Sequence, residues 1–153
     1  MKRKTKKKIR ITGWVLFICY ILVLTYLVFF AETYGRALEG RDYAYNLVPL
    51  REIQRFWNNR YMLGFFPVFI NLAGNILAFI PFGVILPVLS VGTRRFWRVG
   101  LLSLELSFVI ETIQLISKVG SFDVDDLLLN TIGGLLGYFI FWICNQVRRK
   151  IYG

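Results

Sequence analysis

No histidine occurs among the 153 residues, and cysteine occurs only twice. The missing imidazole excludes Ser-His-Asp and Cys-His nucleophilic sites and most zinc sites, because these need a group that is neutral near pH 7 and can take a proton or a metal. Any chemistry has to come from carboxylates, amides and hydroxyls. Cys19 and Cys144 sit in long apolar runs without CxxC spacing and read as small buried hydrophobes. Acids are scarce as well, with 9 Asp and Glu against 19 Lys and Arg for a net charge of +10. Apolar residues make up 56% of the chain, aromatics 17%, and the mean hydropathy is +0.55. This is too apolar for a soluble surface and excludes a cytosolic enzyme.

The apolar residues fall into four long runs. Residues 11–31 are uncharged, and a helix of that length crosses the roughly 30 Å hydrocarbon layer. A basic start can also mark a signal peptide, but the end of this run, Phe29-Phe30-Ala31-Glu32, offers no small-x-small cleavage site. Residues 68–91 form a second span, in which Pro81 and Pro87 predict a kink. Residues 97–117 form a third, which carries Arg98, Glu105 and Glu111, and residues 126–146 a fourth. The fold class is an all-α membrane protein with four transmembrane helices, flanked by a basic tail (1–10) and a C-terminal tail (147–153).

Lys and Arg accumulate in cytoplasmic loops, so their placement sets orientation. The first tail, the 92–98 connection and the C-terminus together hold thirteen bases and no acid. The other side holds six bases and seven acids. Both termini are expected to be cytoplasmic, in a multi-pass protein of the bacterial cytoplasmic membrane. The positive charge then reflects topology and attraction to anionic membrane lipid, and no nucleic-acid partner is expected.

The outer loop, residues 32–67, has room for one short amphipathic helix near 49–58. Leu50, Ile53 and Trp57 would share its apolar face, Pro49 suits its first turn, and Trp57, Tyr61, Phe65 and Phe66 would sit at the interface. An ordinary loop with aromatic anchors is the alternative.

The polar residues within the spans form stripes. Ser103, Ser107, Glu111, Gln114 and Lys118 recur every three or four residues on one face, whereas Glu105 is on another. Asn71 and Asn75 are one turn apart, and Asp126, Asn130, Gly133 and Gly137 form a third stripe. Asp123 joins it if the helix begins early, and Asp125 points elsewhere or belongs to the turn. Ligand-binding candidates in an outward-facing polar pocket are therefore Asn71, Asn75, Glu111, Gln114, Asp123, Asp126 and Asn130. Ionised Glu111 at mid-membrane depth costs roughly 2.5 to 3.5 kcal/mol, which calls for partners, water or protonation. A purely structural role, with amides and acids holding helices together, is the alternative. Gly133 and Gly137 read as a close-packing pair.

The segments Asn46-Leu47-Val48-Pro49-Leu50, Asn71-Leu72-Ala73-Gly74-Asn75, Phe79-Ile80-Pro81-Phe82-Gly83, Glu111-Thr112-Ile113-Gln114 and Phe122-Asp123-Val124-Asp125-Asp126 through Asn130, followed by Gly133-Gly134 and Gly137-Tyr138, occur in this order over residues 46–140. In these the chain resembles the VanZ-like family of small bacterial membrane proteins. It departs from the family at Leu50, where Phe is common, and in the 118–121 stretch, where many members carry an Arg that Lys118 would replace without a bidentate fork. The resemblance implies a cell-envelope protein linked to lowered sensitivity to teicoplanin-class lipoglycopeptides.

Three functions remain open from the sequence. The first is a binder of an amphiphile, either a lipoglycopeptide antibiotic or a lipid-linked cell-wall precursor. The second is an intramembrane enzyme using Glu111 with Asp125 or Asp126 as acid and base, or holding Mg²⁺ at the aspartates. No cofactor is otherwise expected. The third is a transporter accessory subunit, which would need partners because no inverted repeat is visible.

Overall fold

A computed structural model of the protein describes residues 3–31, 43–63 and 65–152. Residues 32–42 of the outer loop, with the charges counted there, lie outside the described residues. So do the side chains of Phe65, Phe66 and Asn71.

The elements are α1 (Arg3–Tyr26), continued by a π-helical turn (Leu27–Ala31), β1 (Tyr45–Asn46), α2 (Arg51–Asn58), α3 (Arg60–Leu63), α4 (Phe65–Leu89), α5 (Phe96–Ser117), β2 (Phe122–Asp123) and α6 (Val124–Tyr152). A 3-10 turn (Val91–Thr93) links α4 to α5. Long uncharged runs become helices because lipid offers no partner for backbone polar groups, and only a helix satisfies them within one segment. Four helices are long and apolar enough to cross a membrane: Lys7–Phe29, Leu72–Leu89, Phe96–Ser117 and Val124–Ile151. Both basic ends extend the helices beyond the apolar runs, so the tails expected as separate segments are continuations of α1 and α6.

The most extensive packing is between α4 and α6, followed by α5 with α6 and α1 with α4. Small residues bring α4 and α6 together. A Cβ placed on Gly133 would lie 2.2 Å from the Ile76 carbonyl oxygen, and one on Gly137 would lie 2.1 Å from that of Ile80. Glycine alone permits this backbone approach. Gly83 faces the Gly134 carbonyl in the same way, at 1.9 Å for an added Cβ. Helix α4 runs as one continuous helix through Pro81 and Pro87. Each proline frees the carbonyl four residues earlier, while α6 holds the surrounding backbone in register. Leu24, Phe79 and Ile110 form a small core between α1, α4 and α5.

The outer surfaces are apolar, as at Leu22, Leu77, Phe139 and Trp142. Cys19 and Cys144 face outward rather than inward, correcting the expectation of burial. In a membrane helix an apolar run says nothing about which face is inside, because lipid is as hospitable to a thiol-bearing side chain as the bundle is.

Candidate functional site

The two-residue strands set up the site. β1 pairs in parallel with β2, Tyr45 with Phe122 and Asn46 with Asp123, and the Phe122 N–H donates to the Ala44 carbonyl at 3.1 Å. This joins the segment before α2 to the start of α6 at the end of the bundle away from both termini. The Asn46 Nδ2 donates to Asp123 Oδ1 at 3.1 Å, and the Asn46 Oδ1 accepts the Val48 N–H at 3.2 Å, an Asx turn that leads the chain toward α2.

Asp123 precedes α6, and its Oδ1 accepts the Asp125 N–H at 2.8 Å, the geometry of a helix N-cap. Asp125, in the first turn, turns the other way and is 1% exposed. Its Oδ2 accepts the N–H groups of Glu52 at 2.8 Å and Ile53 at 3.2 Å, and its Oδ1 accepts that of Leu50. Leu50 is the residue before α2 and holds φ at 66°, a left-handed conformation unusual for a branched side chain. The carboxylate thus meets the positive end of α2 from across the fold, which satisfies otherwise unpaired helix donors.

Glu111 is buried and its Oε2 accepts the Asp123 N–H at 3.1 Å. Ser103 and Ser107 are buried on the same face, with the Ser103 Oγ donating to the Val99 carbonyl and the Asn130 Nδ2 donating to the Ser107 Oγ at 2.9 Å. The α5 stripe therefore faces the bundle at Ser103, Ser107 and Glu111, while Lys118 at its end is exposed. Asn75 Nδ2 donates to Asp126 Oδ1, linking α4 to α6. Gln114 Nε2 donates to the Val28 carbonyl at 3.3 Å, in the π-helical turn after α1.

Beside these groups lies an open cavity of about 330 Å³. Gln114, Asp123, Asp125 and Asp126 line it, whereas Glu111, Asn75 and Asn130 do not. Asn71 is placed on α4 with its side chain outside the described residues. The rest of the lining includes Glu52, Ile53, Arg55 and Phe56 of α2, with Leu72 and Leu129 below. These α2 residues are absent from the set read from the sequence. The helix buries Ile53 and Phe56 partly and leaves Leu50 and Trp57 exposed, so its inward face is rotated from the expected Leu50–Ile53–Trp57 stripe. Leu50 itself lies outside the helix in a left-handed conformation, and Ile53 and Phe56, three residues apart, form the inward face.

Charge at the mouth is mixed. Glu52 and Arg55 pair at 3.1 Å, with the Arg55 side chain 59% exposed, a contact of small energy in water. Lys118 makes no ion pair among the described residues. It ends α5 in a left-handed conformation, is exposed, and holds its ammonium 4.7 Å from the centre of the Tyr43 ring. Among the described residues the donors to the buried Asp123 and Asp125 are backbone N–H groups and the Asn46 amide. Among the described residues no three His, Cys, Asp or Glu converge on a metal position. Asp125 gives both of its oxygens to backbone N–H donors.

A family model described as VanZ/LLP1 matches residues 17–145. Protein VanZ of Enterococcus faecium is 30% identical over 132 residues, covering 83% of this chain and 71% of that protein. No solved structure matches the chain.

Proposed function

This chain belongs to the VanZ-like family of membrane proteins, and on that basis we propose that it contributes to resistance against teicoplanin-class glycopeptides by binding an amphiphile. The ligand is a lipoglycopeptide antibiotic or a lipid-linked cell-wall precursor, and it binds at the outer face of the bacterial cytoplasmic membrane, with both chain termini cytoplasmic.

The observation that carries this reading is the cavity under α2. Its wall combines the Asp126 carboxylate and the Glu52–Arg55 pair with the apolar Ile53, Phe56, Leu72 and Leu129. Such a mixed wall suits a ligand with a polar head, and the apolar outer faces of the helices would accommodate its acyl chain in the bilayer. Amines of the head would meet Asp126 and Glu52, and carboxylates or sugar hydroxyls would meet Arg55 and Gln114. The same geometry favours binding over catalysis. All three carboxylates an acid–base reaction would use are already hydrogen-bonded, Glu111 and Asp125 by backbone N–H groups and Asp126 by the Asn75 amide.

The test is drug susceptibility in a sensitive bacterial host. Expression of the wild-type chain is expected to lower sensitivity to a lipoglycopeptide more than to a glycopeptide without an acyl chain. Asp126→Asn at equal membrane abundance is expected to lose that protection, and unchanged protection would contradict the reading.

A further inference from the structure

Glu105 lies on α5 nine residues after Phe96 and twelve before Ser117. At 1.5 Å per residue it is about 13 Å from one end of the span and about 18 Å from the other. The buried stripe of this helix, Ser103, Ser107 and Glu111, points into the bundle. Glu105 is two residues from both serines, about 160° around the helix, and its side chain is exposed on the opposite side. Among the described residues it has no hydrogen-bond or ion-pair partner. Its neighbours on that face, Leu101, Leu104 and Phe108, are 48%, 40% and 53% exposed.

An ionisable group there faces hydrocarbon, and with two methylenes it is too short to reach either interface. Such a group persists in a membrane helix when a partner covers it. Among the described residues no lysine or arginine pairs with it, and the Asn75 and Asn130 amides are engaged inside the bundle with Asp126 and Ser107.

We propose that the outward face of α5 is an intramembrane interface between two copies of this chain, in which the two Glu105 carboxyls hydrogen-bond each other. A neutral carboxyl carries one donor and one acceptor. Two of them facing across a two-fold axis satisfy each other completely, so a second copy meets the requirement with one residue type, whereas a different partner would have to bring a matching group. The flanking leucines and Phe108 supply the apolar contact that surrounds the pair.

The test uses the full chain with Cys19→Ala and Cys144→Ala, which removes two exposed thiols. It is reconstituted in liposomes over a range of dilutions, and subunits are counted by single-molecule photobleaching. Dimers are expected, and Glu105→Leu is expected to raise the dilution-dependent dissociation at least tenfold. Glu105→Gln, which keeps a donor and an acceptor, is expected to preserve the dimer. Leu101→Cys should cross-link between copies, whereas Leu22→Cys on the exposed face of α1 should not. Because Glu105 makes no hydrogen bond or ion pair among the described residues, Glu105→Leu and Glu105→Gln should unfold close to the wild-type temperature when monomeric. Monomers at every dilution, dimers indifferent to Glu105→Leu, loss of the dimer in Glu105→Gln, or cross-linking through Leu22→Cys would each overturn the proposal.

Discussion

The Asp125 carboxylate accepts the backbone N–H of Glu52 at 2.8 Å across 73 residues of sequence. A side chain from the start of the last membrane helix therefore organises the first turn of the surface helix, and the cavity roof depends on that contact.

Asp125→Ala should leave the N–H groups of Leu50, Glu52 and Ile53 without their acceptor. At about 1–3 kcal/mol for each unsatisfied buried donor, partly recovered by water, the expected local loss is about 2–3 kcal/mol. Hydrogen exchange of the α2 amides should accelerate by roughly 30- to 160-fold while α4 and α5 keep their protection. Asp125→Asn, which retains one good acceptor, should fall between. Unchanged exchange in α2 would contradict the assignment.

The α4–α6 crossing gives a contrast between glycines. Gly133→Ala drives a methyl into the Ile76 carbonyl and should destabilise the bundle by about 1–3 kcal/mol, read as a lower unfolding temperature in nanodiscs. At Gly74 a Cβ meets nothing within 4 Å. Gly74→Ala should be neutral or stabilise by up to about 1 kcal/mol, from helix propensity alone.

Asn130 and Ser107 form an interhelical hydrogen bond in a dry environment. Asn130→Ala and Ser107→Ala should each cost about 0.5–2 kcal/mol, and the double variant no more than the worse single one, because both remove the same bond. Additive losses in the thermal unfolding cycle would mean the two side chains act independently.

The parts legible in the sequence are those set by periodicity within one segment. The four spans follow from uncharged runs, and the inward stripe of Ser103, Ser107 and Glu111 follows from the helical repeat. Gly133 and Gly137 could be read as packing residues because small side chains at this spacing serve little else in a membrane helix. What could not be read is pairing between distant segments. Nothing near Asp125 indicates that its partners are backbone groups of residues 50–53, and nothing near Asn46 points to Asp123. The left-handed conformation that puts Leu50 outside α2 is not revealed by local composition. The absence of Glu111 from the cavity lining, and the outward face of Glu105, depend on how α5 packs on α6, a property of both helices together.

The most direct test of the binding account is titration of the full chain in nanodiscs with a lipoglycopeptide and, separately, with a lipid-linked cell-wall precursor, comparing wild type with Asp126→Asn. Saturable binding of at least one compound is predicted, weakened tenfold or more in Asp126→Asn while its unfolding temperature stays close to wild type. Absence of binding to both, or equal affinity in the variant, would contradict the account.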